Sequence, residues 1–195
     1  MRGKTRVKAG LHAQKKDLRM QMRSRLASLP LAERQSQSQE ICKQLSLILP
    51  TGARVALFAG LAREVHLLSL LETEKEDKGR SWYLPRVVAE SGTKSRMDFQ
   101  PVDAATKLKK SALGIMEPQA GPAAQQLDVI VCPGLAFTAQ GERLGQGGGF
   151  YDRALAKFPS ARFIGVCFSC QLLEVLPSEA HDIKMAQVLT PLQGP

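Results

Sequence analysis

The stretch Asp128-Val-Ile-Val-Cys-Pro-Gly134 is a short apolar run, partly β-branched, that ends in a Pro-Gly turn. This pattern predicts a buried strand, because a strand covered on both faces shows no polar alternation. Further strand candidates lie at residues 54–59, 82–88, 96–100, 162–168 and 187–190. Residues 96–100 alternate as a short edge strand does, and Pro85 interrupts the candidate at 82–88.

Apolar residues at helical spacing separate these strand candidates. They predict helices over residues 15–29, 31–49, 64–76 and 150–158. The core candidates of the first two helices are Leu18, Met22, Leu26, Leu29, Ala32, Ile41, Leu45 and Leu49. Strands that alternate with helices indicate an α/β protein: a mostly parallel sheet sandwiched between helices, in a three-layer, Rossmann-like single domain. Residues 102–126, rich in Ala, Lys, Pro and Gly, are predicted to form a long loop.

The composition sets broad limits on the class of protein. A chain of 195 residues with 44% hydrophobic and 23% charged residues is expected to form one globular domain. Four cysteines and the lack of a signal-peptide pattern favour a reduced, cytoplasmic protein, and no apolar run is long enough to cross a bilayer. We expect a monomer without a membrane partner.

The charge of +9 is concentrated at the start of the chain. Residues 1–25 carry +8 of it, and the remaining 170 residues are nearly balanced at +1. A basic face across the fold is therefore not expected, which makes a nucleic-acid partner improbable. We interpret residues 1–12 as a basic lead that need not be ordered and residues 13–195 as the domain; an organelle transit peptide remains a weaker alternative.

The segment Gly141-Glu-Arg-Leu-Gly-Gln-Gly-Gly-Gly-Phe-Tyr-Asp-Arg153 contains four glycines within five positions. Such a run allows backbone N–H groups to turn inward around an anion, and the helix that follows adds a favourable potential for phosphate. The segment matches neither the Walker A pattern nor the dinucleotide-binding fingerprint. A flexible connector is the alternative, but the nearby cation, phenol and carboxylate of Arg143, Tyr151 and Asp152 favour a phosphate site.

Together with residues 128–137, this segment resembles the signature of the 5-formyltetrahydrofolate cyclo-ligase family, also called methenyltetrahydrofolate synthetases. Weaker similarities keep their order along the chain: Lys15-Lys-Asp-Leu-Arg19, Glu64-Val65, Leu84-Pro-Arg86, Gly114-Ile-Met-Glu-Pro118, Gln171, Pro177, Asp182 and Thr190. The resemblance implies closure of 5-formyltetrahydrofolate to 5,10-methenyltetrahydrofolate, with ATP as co-substrate, Mg²⁺ as cofactor, and ADP and phosphate as products. ATP would phosphorylate the formyl oxygen, which is otherwise a poor leaving group, before N10 attacks.

The resemblance also implies roles for particular residues. Arg143 and Lys15 would be catalytic. ATP would be bound by Lys15, Arg19, Arg143, Leu144, Gly145, Gln146, Gly147, Gly148, Gly149, Phe150 and Tyr151. The reduced folate would be bound by Ala59, Glu64, Arg86 and Phe150, and Mg²⁺ by Asp152 and Asp182.

Plainer roles remain open for several of these side chains. Lys15 and Arg19 could form a solvated helix face, and Asp152 could be a first-turn acid that the helix dipole favours. Glu64 could open the helix that follows it, and Arg86 is as easily structural as substrate-binding. The chain departs from the family pattern at Gln146, Phe150, Leu113, His66-Leu67 and Ala186.

Other motifs carry less weight. Cys167 and Cys170 have the C-x-x-C spacing without a second pair, so a core role is favoured over zinc. His181 is interpreted as a loop residue. Two functions remain as alternatives to the cyclo-ligase. One is a non-catalytic folate- or nucleotide-binding relative that docks on an acidic partner through its basic N-terminus, and the other is an α/β sugar-phosphate or CoA enzyme.

Overall fold

The structure is a computed structural model that describes residues 2–73, 79–89, 95–112, 114–179 and 182–191, with the backbone alone for residues 2–9. Its helices are α1 (Arg2–Ser28), α2 (Leu31–Ile48), α3 (Ser69–Thr73) and α4 (Phe150–Leu155). Its strands are β1 (Arg54–Ala56), β2 (Ser81–Val88), β3 (Arg96–Val102), β4 (Lys109–Lys110), β5 (Met116–Glu117), β6 (Val129–Cys132), β7 (Ala136–Phe137), β8 (Arg143–Leu144), β9 (Arg162–Val166) and β10 (Gln187–Leu189).

Six of the strands form the central sheet, in the order β10-β9-β6-β1-β2-β3. All neighbours are parallel except β3, which runs antiparallel to β2 at the edge. From β1 the chain adds β2 and β3 on one side and then returns to place β6 on the other. The strand order therefore reverses between β1 and β6, and a crevice forms at their carboxyl ends, where open α/β sheets bind ligands.

Two apolar layers cover this sheet. On one face, Met22 of α1 and Ile41 of α2 belong to a core with Val129 and other sheet residues. On the other face, Leu155 of α4 packs in a core with Ile130. Successive residues of β6 thus point into opposite layers, as strand geometry requires. The predicted α/β class, with a mostly parallel sheet between helices, is confirmed.

The predicted strands agree well with the structure. Pro85 lies inside β2, although β2 has neighbours on both sides. The parallel ladder with β1 ends at the pair Ala56 and Tyr83, so the missing N–H of Pro85 lies beyond that ladder. Residues 57–59 of the first candidate leave the strand, but the Leu57 N–H still donates to the Tyr83 carbonyl at 2.9 Å.

The predicted helices need three corrections. The helix over residues 64–76 is wrong at its start, because residues 61–64 form a turn and the helix begins at Ser69; residues 74–76 lie outside the described residues. The helix predicted over 150–158 ends at Leu155. Ala32 is exposed rather than in the core, since it lies nine residues before the buried Ile41, half a turn away at about 100° per residue.

Two small hairpins were not predicted. Strands β4 and β5 pair within the segment predicted as a long loop, with Lys109 opposite Glu117. Strands β7 and β8 pair Phe137 with Arg143, immediately before the glycine run. Strands of two residues are too short to show a period, which is why the pattern analysis missed them.

The first helix spans the boundary predicted between lead and domain, because α1 runs from Arg2 to Ser28. It ends at Ser28, one residue before the predicted end at residue 29, and α2 begins at Leu31 as predicted. None of the described helices is long and apolar enough to cross a membrane.

Candidate functional site

The glycine run forms a loop between β8 and α4, next to the crevice. Hairpin β7–β8 holds its first end, where the Leu135 N–H donates to the Leu144 carbonyl at 2.7 Å. Gly147 and Gly149 have φ angles of 102° and 63°, which L side chains rarely adopt. At these two positions the turn requires glycine. Residues 145–149 are called the glycine loop below.

Guanidinium groups bind the carbonyl oxygens of the glycine loop. The contacts are Arg19 Nε to Gly145 O (2.9 Å), Arg23 Nη2 to Gln146 O (3.3 Å) and Arg153 Nη1 to Gly148 O (3.1 Å). In contrast, no backbone N–H of residues 145–149 donates a hydrogen bond within the described part of the chain. The loop therefore has most of its carbonyls occupied and its N–H groups available, as an anion site needs.

Arg143 lies at the start of this loop with its side chain only 5% exposed. Its Nη2 is 2.5 Å from Asp152 Oδ1, and its Nη1 donates to the Pro133 carbonyl at 3.2 Å. The guanidinium also lies 5.5 Å from the centre of the Tyr151 ring, within cation–π range. Its Nε is buried and has no hydrogen-bond partner among the described residues. Arg143 is thus fixed from several sides, and its Nε–H is still available as a donor.

Lys15 is buried at the inner face of α1. Its Nζ donates to Asp182 Oδ2 at 2.7 Å and to Glu179 Oε2 at 2.9 Å. Burial lowers the pKa of Lys15, but the hydrogen bonds and charges of Asp182 and Glu179 outweigh it, so the pKa lies above its ordinary value. Lys15 is therefore a charged ammonium held by two carboxylates.

Glu64 lies after β1, at the other side of the crevice. Its Oε2 accepts the Leu61 N–H at 2.9 Å, which closes the turn that replaces the predicted helix start. Burial raises the pKa of the Glu64 carboxyl, and contacts with Leu61 and the Gln146 side chain oppose that rise in part. Gln146 belongs to the glycine loop and also accepts from Arg23 Nη2 at 3.2 Å. Gln146 therefore links α1, the glycine loop and Glu64.

The structure brings some of the predicted site residues together and leaves others apart. Lys15 meets Asp182 and Arg143 meets Asp152, so both predicted metal ligands are paired with predicted ATP cations. Arg86 instead donates to the Pro118 carbonyl at 2.7 Å, beside hairpin β4–β5.

Phe150 lies under the Arg153 guanidinium, with 5.2 Å between the group and the ring centre. Ala59 is buried near the carboxyl end of β1, on the side of the crevice where Glu64 lies. Leu113 and His181 lie outside the described residues.

Two residues of the site were missed in the sequence. Arg23 contacts the glycine loop one helical turn after Arg19, and Glu179 holds Lys15 three residues before Asp182. The signal for Arg23 was its i, i+4 spacing from Arg19, which places both on one face of α1. Glu179 gave no signal, because its partner is 164 residues away.

Asp152 and Asp182 are the candidate ligands for a magnesium ion. The described residues contain no cluster of three or more His, Cys, Asp or Glu side chains that could hold a metal alone. Asp152, however, accepts from Arg143 through Oδ1 only, so its second oxygen has no partner in the described part of the chain. Mg²⁺ is commonly bound by one or two carboxylates together with phosphate oxygens and water. The donor set fits an ion that arrives with a nucleotide.

Comparison with known proteins finds similar sequences over nearly the whole chain. A model of the 5-formyltetrahydrofolate cyclo-ligase family matches residues 11–191. The 5-formyltetrahydrofolate cyclo-ligase of Mycolicibacterium smegmatis is 32% identical over 186 residues, covering 92% of this chain and 95% of that protein. The protein of the same name from Haemophilus influenzae is 30% identical over 183 residues, covering 90% and 96%.

Among solved structures, the NMR structure of Aquifex aeolicus 5,10-methenyltetrahydrofolate synthetase matches with a TM-score of 0.75 at 30% identity, covering 92% of this chain and 90% of that one. The family match includes the glycine loop, Glu64 and the acidic pair around Asp182. Fold, site geometry and sequence similarity thus agree over nearly the whole length: the chain belongs to the 5-formyltetrahydrofolate cyclo-ligase family.

Proposed function

We propose that this protein closes 5-formyltetrahydrofolate to 5,10-methenyltetrahydrofolate at the expense of ATP, with release of ADP and phosphate. One observation carries the proposal: the N–H groups of residues 145–149 are unpaired within the described chain and lie beside the buried Arg143. Unpaired N–H groups on a glycine turn bind phosphate oxygens. The reaction proposed is that of the related proteins, and the glycine loop offers a binding site for the phosphoryl donor of that reaction.

The phosphates of ATP would lie on the glycine loop, with Lys15, Arg19 and Arg143 as the surrounding cations. Lys15 and Arg19 are one helical turn apart on α1, and Arg19 already contacts the loop. Lys15 is held by carboxylates now, and phosphate oxygens are likewise anionic acceptors for an ammonium group. The flanking residues Leu144 and Tyr151, together with the loop's Gln146, would complete this nucleotide site.

The reduced folate would occupy the crevice on the β1 side. Glu64 would accept N–H groups from the donor edge of the pterin, since its carboxylate is partly buried and already oriented by the Leu61 N–H. Ala59 and Phe150 would provide apolar contact with the ring system, and Arg86 would lie nearer the tail. Because Gln146 belongs to the glycine loop and contacts Glu64, its side chain would lie between the ATP site and the folate site.

The chemistry follows from this arrangement. The terminal phosphoryl group passes from ATP to the formyl oxygen with release of ADP, and N10 then attacks the formyl carbon. The C–O bond breaks, phosphate departs with that oxygen, and N10 loses its proton. Arg143 and the loop N–H groups neutralise charge on the phosphoryl group during transfer, which is the main demand of such a reaction. Mg²⁺ held by Asp152 and Asp182 together with phosphate oxygens would supply further charge neutralisation.

The cellular setting is part of the proposal. The cysteines at 42, 132, 167 and 170 are unpaired, which supports a reducing compartment, and we place the enzyme in the cytoplasm as a monomer. Residues 13–195 would form the catalytic domain and residues 1–12 its basic lead.

The test follows the near-ultraviolet absorbance of methenyltetrahydrofolate with 5-formyltetrahydrofolate, ATP and Mg²⁺. We expect a rise that requires ATP and that falls about 10²- to 10³-fold in rate in Arg143→Ala, the usual effect of losing one preorganised donor. Arg162→Ala is the matched control, because Arg162 is an exposed arginine at the start of β9. A flat trace from folded protein that still binds ATP or folate would contradict the proposal and favour a non-catalytic binding relative.

A further inference from the structure

Arg153 of α4 holds the second half of the glycine loop. Its Nη1 donates to the Gly148 carbonyl at 3.1 Å, and its Nη2 donates to the Ser95 carbonyl, just before β3, at 3.4 Å. Within the described part of the chain, both hydrogen bonds of this guanidinium thus go to backbone carbonyls. A cation that is bonded in this way fixes the position of two backbone segments.

The Arg153 guanidinium packs closely against the loop. A Cβ added to Gly149 would lie only 2.8 Å from Nη1 of Arg153. On another side, the guanidinium lies 5.2 Å from the centre of the Phe150 ring. A side chain at position 149 would therefore push the guanidinium off the Gly148 carbonyl, so this contact depends on glycine.

The contact also sets the direction of one N–H group. Because a trans peptide is planar, the carbonyl of Gly148 and the N–H of Gly149 point in opposite directions. Arg153 holds that carbonyl, so the Gly149 N–H points away from Arg153. This N–H donates no hydrogen bond within the described chain. It is therefore a donor of fixed direction that a phosphate oxygen can use.

Glycine makes such a fixation necessary. Residues 147–149 are three glycines in succession, and glycine adopts positive and negative φ about equally. Arg19 holds the first half of the loop, since its Nε bonds the Gly145 carbonyl and its Cζ would lie 3.5 Å from a Cβ added to Gly147. Arg153 does the same for the second half. A site that is ordered before binding loses less entropy when the ligand arrives.

We propose that Arg153 is a positioning residue of the nucleotide site. It orients the peptide between Gly148 and Gly149 so that the Gly149 N–H donates to a phosphate oxygen, while Arg153 itself does not touch the nucleotide. The identity of the ligand rests on the proposed function. Affinity for the nucleotide therefore depends on Arg153, and affinity for the reduced folate does not.

The first experiment needs no ligand. Backbone order parameters of the glycine amides are measured by NMR on protein labelled with ¹⁵N-glycine. In the wild type we expect Gly149 to be as ordered as Gly165 in β9, with an order parameter of about 0.85, and in Arg153→Ala to fall below about 0.6. Arg162→Ala is the matched control, because Arg162 is an exposed arginine outside the loop. If Gly149 stays equally ordered in Arg153→Ala, the inference is wrong.

The second experiment measures KM for each substrate in the absorbance assay. We expect Arg153→Ala to raise KM for ATP about tenfold, the effect of losing one oriented donor to phosphate, with KM for 5-formyltetrahydrofolate little changed. Phe150→Leu is the contrasting variant, because it removes the ring beside Arg153 and leaves the Gly148 contact in place. It should raise KM for the folate more than KM for ATP. Equal rises of both KM values in Arg153→Ala would overturn the inference.

The two experiments separate this inference from the proposed function. If calorimetry shows that the wild type does not bind a non-hydrolysable ATP analogue with Mg²⁺, the proposed function fails, and with it the role of Arg153 toward a nucleotide. The NMR result still decides whether Arg153 orders the loop. If the wild type binds the analogue and Arg153→Ala, shown to be folded by thermal unfolding, binds it equally well, the proposed function stands and the role of Arg153 is refuted.

Discussion

Nη2 of Arg143 lies 2.5 Å from Oδ1 of Asp152, so the buried cation of the glycine loop is neutralised by the first carboxylate of α4. Lys15 and Asp182 form a second pair of the same kind, 2.7 Å apart. Under the proposed function, a nucleotide that arrives with Mg²⁺ would exchange with both pairs. Lys15 and Arg143 would then bind its phosphates, and Asp152 and Asp182 would hold the metal ion.

Asp152→Asn tests the first pair. The amide still accepts from Arg143, but it is a weaker ligand for Mg²⁺ than a carboxylate. We expect the Mg²⁺ concentration for half-maximal rate to rise about tenfold, measured by methenyl formation at fixed ATP. Asp98→Asn is the control, because Asp98 pairs with Arg96 and Lys157 away from the loop. The same Mg²⁺ midpoint in Asp152→Asn and in the wild type would refute the role.

Lys15→Met tests the second pair through stability. It leaves Glu179 and Asp182 close together without their shared cation, and each side chain is about one quarter exposed. We expect a loss of about 1–3 kcal/mol in the free energy of unfolding, because the two carboxylates then repel each other without the ammonium between them. Urea unfolding measures it. In the double variant with Asp182→Asn, part of this loss should be recovered, because the repulsion between the two carboxylates is removed. If the two substitutions instead change the free energy of unfolding additively, Lys15 and Asp182 are not coupled.

Glu64→Gln tests the buried carboxylate by pH. Because burial raises the pKa of Glu64 in the folded state, the fold favours the protonated form. The stability that the protonated Glu64 carboxyl contributes is fully present below the pKa of the unfolded state. It is lost as the pH rises through the pKa of the folded state. The melting temperature of the wild type should therefore fall relative to Glu64→Gln between pH 4 and pH 8. The exposed Glu174→Gln serves as the control.

The same substitution separates stability from binding. If Glu64 accepts pterin N–H groups, KM for the folate should rise about tenfold or more in Glu64→Gln, while KM for ATP changes little. A variant that is stabilised at pH 8 and keeps its folate KM would show that Glu64 is structural. The comparison needs only the absorbance assay and thermal unfolding at two pH values.

Gly141→Ala tests the support of the glycine loop. A Cβ at Gly141 would lie 2.2 Å from the Met185 carbonyl oxygen, which is backbone and cannot move aside. Gly52 also has a positive φ, 71° against 87° at Gly141, but an added Cβ there meets no atom within 4 Å. Both alanine variants carry the backbone strain of about 1 kcal/mol. The excess loss in Gly141→Ala, expected at about 1–3 kcal/mol, measures the clash. Equal losses in the two variants would mean that the backbone shifts to accommodate the methyl group.

The sheet and the glycine loop could be predicted because their signals are contiguous. The run that forms β6 has four buried apolar residues in succession, and the glycines stand together. A local pattern also gave the break between α1 and α2 at Pro30. The turn at Glu64 was harder, because a carboxylate that caps its own turn and one that opens a helix look alike in sequence.

The contacts within the site could not be predicted from the sequence without the resemblance. Lys15 and Asp182 are 167 residues apart, and nothing local to either residue indicates the other. The same holds for Arg19 and Gly145. Hairpin β4–β5 was missed because the loop composition of residues 102–126 outweighs two residues of strand on each side. What the sequence lacks is therefore distance information, not residue chemistry.

The position of Lys15 has a consequence for biosynthesis. A ribosome completes α1 first, yet the acids that bind Lys15 and the loop that binds Arg19 are made more than 120 residues later. The apolar face of α1, with Met22 and Leu26, can pack on strands made earlier, but the polar contacts of Lys15 and Arg19 cannot form before then. A chain that stops before residue 179 would lack both acid partners of a buried lysine. Assembly of the site thus requires that the chain has been made at least as far as Asp182.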